Sequence, residues 1–425
     1  MEVISLAIYG MINLLMLISC LIKKGDIFKP TFWFSLISLG WFFPQALGSL
    51  EKSHVYPDNG YIYGLLFASL CSLAFYFGWI FSHKKSLKES SMYFMEFDEE
   101  RLYKVAVFLI MFGLYFQAKL WSLPEDILSN STWTGIPVML LFFSHTFRFG
   151  FLILWIQYLK SGKILSTKYL IFLVPCVILF IDIAFLKGRR AEMMNIVSYL
   201  FIGLWFVKRI IPSRVVIITA LIFGLIFINT IGAYRSIIKD DYLSTGEKIE
   251  KALDVNYLAL VEDQSKNATY EFDNYTYARS AIGKTTSFDY GVYHWNTLVF
   301  NYIPAQIVGN EFKDFFYFSG VDVQKLSMDN YYHSFNGGST VTGYLDSFIS
   351  FGWLGFIKFV IIGILIGYLY RYSMAGGVIS QILYLYLLNH FMLSVTHNTN
   401  EFLTRHWVYF FCFIFPLLIW ARCKE

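Results

Sequence analysis

YLIFLVPCVILFIDIAFLKGRRAEMMNIVSYLFIGLWFVKR (residues 169–209) contains two apolar runs separated by Lys187, Gly188, Arg189 and Arg190. Each run is close to the ~20 residues an α-helix needs to cross a hydrocarbon core about 30 Å thick. The pattern recurs along the chain. The 425 residues are 56% hydrophobic and only 15% charged, against about 25% charged in soluble domains. Hydropathy predicts about eleven spans, near 3–22, 31–50, 61–82, 104–121, 136–159, 168–186, 191–207, 214–232, 352–371, 378–395 and 402–420. The expected fold is an all-α polytopic membrane protein. A β-barrel would instead show alternating strands of ~10 residues.

Other global features narrow the classes. A formal net charge of +4 says little about nucleic acid, and no nucleic-acid partner is expected. The first run lacks a basic leader and a small-residue cleavage site, so it reads as a retained span. The five cysteines, Cys20, Cys71, Cys176, Cys412 and Cys423, fall in spans or at their ends. They form neither a disulfide framework nor a zinc spacing, and read as small buried hydrophobes.

Lysines and arginines in short loops set the expected orientation. Lys23, Lys24 and Lys29 follow the first span, Lys84, Lys85 and Lys88 the third, and Lys160 and Lys163 the fifth. Lys208 and Arg209 follow the seventh, Arg371 the ninth, and Arg422 and Lys424 the last. All fall on one side, which the rule makes cytoplasmic, with the N-terminus outside. Two segments then land outside: the Lys187–Arg190 cluster and a hydrophilic stretch over about 233–339. A polar stretch that long is usually functional. It shows no strand alternation, so short helices packed over the bundle are expected.

Two segments of this region have helical periodicity. In YHWNTLVFNYIPAQIVG (293–309), Trp295, Leu298, Val299, Tyr302 and Ile303 share one face and Pro304 ends it. The spacing predicts an interfacial helix. In STVTGYLDSFISFG (339–352), Val341, Tyr344, Leu345, Phe348 and Ile349 repeat the spacing, with Ser339 or Thr340 as cap. Thr342, Asp346 and Ser350 share the other face, predicted to look into an outer cavity.

Charge inside or at the ends of spans is expensive and marks function by default. Arg148 and His145 sit mid-span, and Asp182 is a possible partner for Arg148. Outside, Arg189 and Arg190 open the seventh span, Arg235 follows the eighth and Arg405 stands at the mouth of the last. Positive charge there runs against the orientation bias. An anion at the outer membrane surface would favour it, since guanidinium forks bind phosphate oxygens bidentately. Arg190 also lies near a helix N-terminus. The competing reading is headgroup contact, or an acidic loop neighbour such as Glu192. No Gly-rich phosphate loop, nucleophile elbow or HExxH is present. Asp240–Asp241 and Glu262–Asp263 read as solvated loop acids, so no metal is expected. Asn267-Ala268-Thr269 fits the glycosylation pattern only weakly.

NYIPAQIVGNEFK (301–313) and HSFNGGSTVTGYLDSFISFGWLGF (333–356) resemble segments of the Wzy-type O-antigen and capsule repeat-unit polymerases. Eleven or so spans, a large external loop in the second half and external arginines also resemble that family. Such proteins often carry Glu before the Phe-Gly pair, where this chain has Asp346. The resemblance implies a membrane-embedded, GT-C-like, metal-independent glycosyltransferase of a bacterial inner membrane, needing no cofactor. It would transfer a growing glycan from undecaprenyl diphosphate to a second lipid-linked repeat unit, with a Wzz-type chain-length co-polymerase as partner. Arg189, Arg190, Arg235, Arg279 and Arg405 would hold the lipid diphosphate. His333 and Asp346 would be candidate bases for the acceptor hydroxyl, with His294 or Glu401 next in line. An O-antigen ligase is the nearest alternative. A lipid-linked oligosaccharide flippase should show two related halves, which this chain lacks.

Overall fold

The computed structural model describes the chain except residues 85, 88–91, 125–126, 128–132, 134, 164–165, 187–188, 214, 217–218, 220–246, 248–249, 252–269, 286–287, 336–338 and 424–425. Among the described residues the structure is helical, with one isolated bridge between Phe97 and Arg422. Nine described stretches are long and apolar enough to cross a membrane: Glu2–Ile22, Pro57–Lys84, Glu99–Trp121, Ile136–Ser161, Thr167–Ala184, Ala191–Lys208, Gly343–Met374, Val378–Thr396 and Glu401–Trp420. The chain is an all-α, multi-pass membrane protein.

These stretches coincide with nine of the predicted spans. The second predicted span is also helical without a break, Pro30–Ile37 running through a π turn over Ser38–Phe42 into Phe43–Gly48, but it is not among the nine. Pro44 has no N–H to donate, and the widened turn just before it absorbs the missing bond. The predicted eighth span lies outside the described residues, as do Asp240, Asp241, Glu262, Asp263 and Asn267.

Close backbone contact holds the bundle. A methyl group on Gly78 would lie 2.2 Å from the Val360 carbonyl oxygen, and one on Gly363 would lie 2.3 Å from that of Phe75. In lipid, where apolar surface gains nothing from leaving water, such close van der Waals packing is what joins helices. Val378–Thr396 is the most enclosed span, with 83% of its apolar window buried.

The described part of the polar region folds into short helices, Tyr270–Thr285, Val292–Tyr302 and Val323–Tyr331 among them. The first is bonded to the bundle, the Tyr275 hydroxyl donating to the Gly64 carbonyl at 2.7 Å.

The Asp346 helix departs from expectation. It runs Gly343–Phe351, and every residue but Phe351 is buried, so it lies within the protein rather than on its surface. Thr342 is its cap, accepting from the Leu345 N–H at 3.1 Å. Ser339 instead accepts from Asn274, and Thr340 donates to the Thr396 carbonyl. A methyl group on Gly343 would lie 1.7 Å from the Ser394 carbonyl oxygen, so glycine is what lets this helix dock against Val378–Thr396. The Tyr344 hydroxyl lies 3.1 Å from that of Tyr9 and 3.3 Å from that of Ser38, tying the helix to the N-terminal elements.

Candidate functional site

Asp346 and Lys358 would lie about 18 Å apart along one continuous helix. Gly352, at φ 56°, breaks it, and the 3-10 turn Gly352–Phe356 reverses the chain. Lys358 Nζ then lies 3.3 Å from both carboxylate oxygens of Asp346. The exposures are 7% and 1%. A buried ion pair persists only when its remaining donors and acceptors are satisfied, and here they are. The Thr399 N–H donates to Asp346 Oδ2 at 3.0 Å, and the Thr399 hydroxyl donates to the same oxygen. Lys358 also donates to Ser350 Oγ at 2.8 Å.

His294 completes the cluster from above. Its Nε2 is 2.9 Å from Lys358 Nζ, 3.1 Å from Thr399 Oγ1 and 3.4 Å from Asp346 Oδ2. Two local features place it. Asp289 caps the Val292–Tyr302 helix, accepting from the Gly291 and Tyr293 N–H groups. The Asp289 and Tyr290 N–H groups donate to the Ile349 and Ser350 carbonyls, 3.0 and 3.2 Å away, so this helix is stitched to the Asp346 helix.

A second cluster adjoins the first through Thr399–Glu401. Glu401 Oε1 is 3.3 Å from Arg405 Nη1. Glu401 Oε2 is 3.2 Å from His406 Nε2 and 3.5 Å from His390 Nδ1. The Tyr386 hydroxyl lies 2.9 Å from His406 Nδ1. The Val292–Tyr302 helix reaches this cluster too, the Tyr302 hydroxyl donating to the Arg405 carbonyl. Deeper in the bundle, Arg148 pairs with Glu192 at 2.5 Å, and Asn195 bonds the other carboxylate oxygen. The suggested Arg148–Asp182 pair is therefore not formed. Glu192 lies in the next helix and takes the guanidinium, so its carboxylate answers Arg148 rather than the loop arginines.

Of the sequence candidates, Asp346 with His294, and Arg405 with Glu401, are brought to adjoining clusters. His333 is elsewhere: its Nε2 is 2.8 Å from Asn274 Oδ1, and its ring stacks on Tyr277 at 4.3 Å. Partial burial lowers its pKa. Arg279 is buried, its guanidinium carbon 4.6, 5.2 and 5.6 Å from the ring centres of Phe348, Trp353 and Tyr63. This is a cation–π setting, and burial lowers its pKa. Arg189 is exposed just ahead of the Arg190–Lys208 helix. Arg235, Lys187 and the Arg190 side chain lie outside the described residues.

Lys358, Thr399, His390 and His406 were not among the sequence candidates. Lys358 carried a readable signal, as a charged residue inside a predicted span. Its partner was unreadable without the chain reversal at Gly352. A comparison with protein-family models, curated proteins and solved structures finds no match in any of the three. The fold and site define a multi-pass helical membrane protein whose short-helix end covers two adjoining clusters of buried ionisable groups.

Proposed function

We propose that the chain is a glycosyltransferase that polymerises undecaprenyl-diphosphate-linked oligosaccharide repeat units at the outer face of a bacterial inner membrane. The observation that carries this reading is the Asp346–Lys358–His294 cluster under the Val292–Tyr302 helix. Ionisable groups sequestered in a membrane bundle mark chemistry, and that helix leaves Trp295 44% and Phe300 51% exposed. Apolar surface of this kind suits contact with the outer leaflet, where a lipid-linked substrate would arrive.

In this reading the acceptor hydroxyl attacks the anomeric carbon of the donor. The bond from that carbon to the diphosphate breaks, and the hydroxyl proton passes to a base. Asp346 is fully partnered, so its role is positioning. His294, with its side chain 12% exposed, is the base, oriented by Asp346 and Lys358. Arg405, whose side chain is 36% exposed, stabilises the departing polyprenyl diphosphate. The external arginines Arg189, Arg190 and Arg235 gather the lipid diphosphate. A Wzz-type co-polymerase sets chain length.

Purified chain in vesicles, given defined lipid-linked repeat units, should build chains of many units on the lipid carrier. No extension overturns the proposal, and transfer only to a different acceptor makes the chain a ligase. The orientation is tested separately. Ser319→Cys and Ser161→Cys, made without Cys412 and Cys423, should label from opposite sides with an impermeant thiol reagent.

A further inference from the structure

His390, Glu401 and His406 offer three potential metal-ligand atoms, all within 4.8 Å of one another. Zinc binds nitrogen and carboxylate oxygen at about 2.0–2.2 Å, so neighbouring ligands of a tetrahedral site lie roughly 3.3–3.5 Å apart. Here Glu401 Oε2 is 3.2 Å from His406 Nε2 and 3.5 Å from His390 Nδ1. Both match tetrahedral edges, and the third edge is under 4.8 Å.

Three further observations point the same way. His390 Nδ1 is buried and meets Glu401 Oε2 only at 3.5 Å, long for a hydrogen bond. A lone pair aimed at an ion would explain it. The Tyr386 hydroxyl lies 2.9 Å from His406 Nδ1, the kind of outer contact that orients a metal-binding imidazole, and His406 Nε2 is the ring nitrogen that faces Glu401. Arg405 engages Glu401 Oε1, so the carboxylate offers Oε2 alone.

We infer that His390, Glu401 and His406 form a binding site for one divalent transition-metal ion of the zinc type. Three protein ligands leave a fourth position open, as in reactive rather than purely structural zinc sites. With Glu401 and Arg405 cancelling, the ion leaves the cluster about two charges positive, so the open position favours an anionic oxygen ligand, from hydroxide or a phosphate. The inference stands on ligand geometry and requires no glycan substrate.

The test uses full-length, tag-free chain in detergent, stripped with chelator and titrated with Co²⁺. About one Co²⁺ per chain should bind and give the visible absorption of a tetrahedral site, and Zn²⁺ should displace it. Glu401→Gln and His390→Ala should each weaken binding by at least roughly 100-fold, and Tyr386→Phe by roughly tenfold. His54→Ala, at an exposed histidine, should leave binding unchanged. Folding of each variant is checked by circular dichroism and size exclusion. Folded wild type that takes up no stoichiometric Co²⁺ or Zn²⁺ overturns the inference. So does binding that survives both Glu401→Gln and His390→Ala. Metal binding without glycan extension would leave this inference standing and defeat the polymerase reading instead.

Discussion

His333 and Asp346 stand thirteen residues apart in one segment, HSFNGGSTVTGYLD, and both are candidate bases from sequence. The fold treats them differently. Asp346 is 1% exposed, and Lys358, Thr399 and His294 surround its carboxylate. His333 is half-buried, stacked on Tyr277 and bonded to Asn274. The difference teaches that chemistry follows partners, not motif membership. A buried charge must be answered from several elements at once, and the elements that answer it define the site. A half-buried ring needs only one stack and one bond.

The largest consequence is for stability. Removing one member of a buried ion pair leaves the other uncompensated, at a cost of about 3–5 kcal/mol. Asp346→Ala and Lys358→Met should each lower the unfolding midpoint in detergent strongly. The double variant Asp346→Leu with Lys358→Met should recover most of the loss, yet stay inactive. If each single variant is as stable as wild type, the pair is not desolvated and the contrast with His333 collapses.

A smaller effect is expected at the docking of the Asp346 helix. Gly343→Ala must push a methyl group against the Ser394 carbonyl, 1.7 Å away, at a cost of about 1–3 kcal/mol. Gly283→Ala meets nothing within 4 Å and should be neutral or stabilising by up to about 1 kcal/mol. Equal behaviour of the two in thermal unfolding would mean that the helix is not held against Val378–Thr396.

The smallest effect belongs to His333. Burial lowers its folded pKa, so the unfolded chain takes up the proton first as pH falls. Its contribution to stability is full above the unfolded value near ~6.5 and declines as pH drops through that value toward the folded one. His333→Gln should flatten this decline, measured by denaturant unfolding between about pH 5 and 8. A variant whose stability falls as steeply as wild type would assign the slope to another group.

The spans were legible because length and apolarity are one-dimensional properties: about twenty apolar residues identify a crossing wherever the partners lie. The π turn at Ser38–Phe42 was not, since Pro44 acts through backbone hydrogen bonding rather than hydropathy. The Gly343–Phe351 helix was read correctly as a helix and incorrectly as a surface one. Thr342, Asp346 and Ser350 gave it a polar face, but that face meets Lys358 and Thr399, not a cavity. Periodicity reports that a face is polar, and it does not report whether water or a buried partner satisfies it. Arg148 shows the same limit: Asp182 lay in the next span and Glu192 beside the loop arginines, and only the packing of the helices selects Glu192.

The most direct test of where the chemistry lies is the rate of repeat-unit transfer by Asp346→Asn, His294→Ala and His333→Gln, compared at equal amounts of folded protein. His294→Ala should fall by roughly 100-fold or more, the usual scale for losing a positioned proton acceptor, and Asp346→Asn, which loosens the positioning of His294, should fall with it, while His333→Gln stays within about tenfold of wild type. A collapse of His333→Gln alongside near-normal rates for the other two would contradict the account and move the chemistry to the Asn274–Tyr277 side of the molecule.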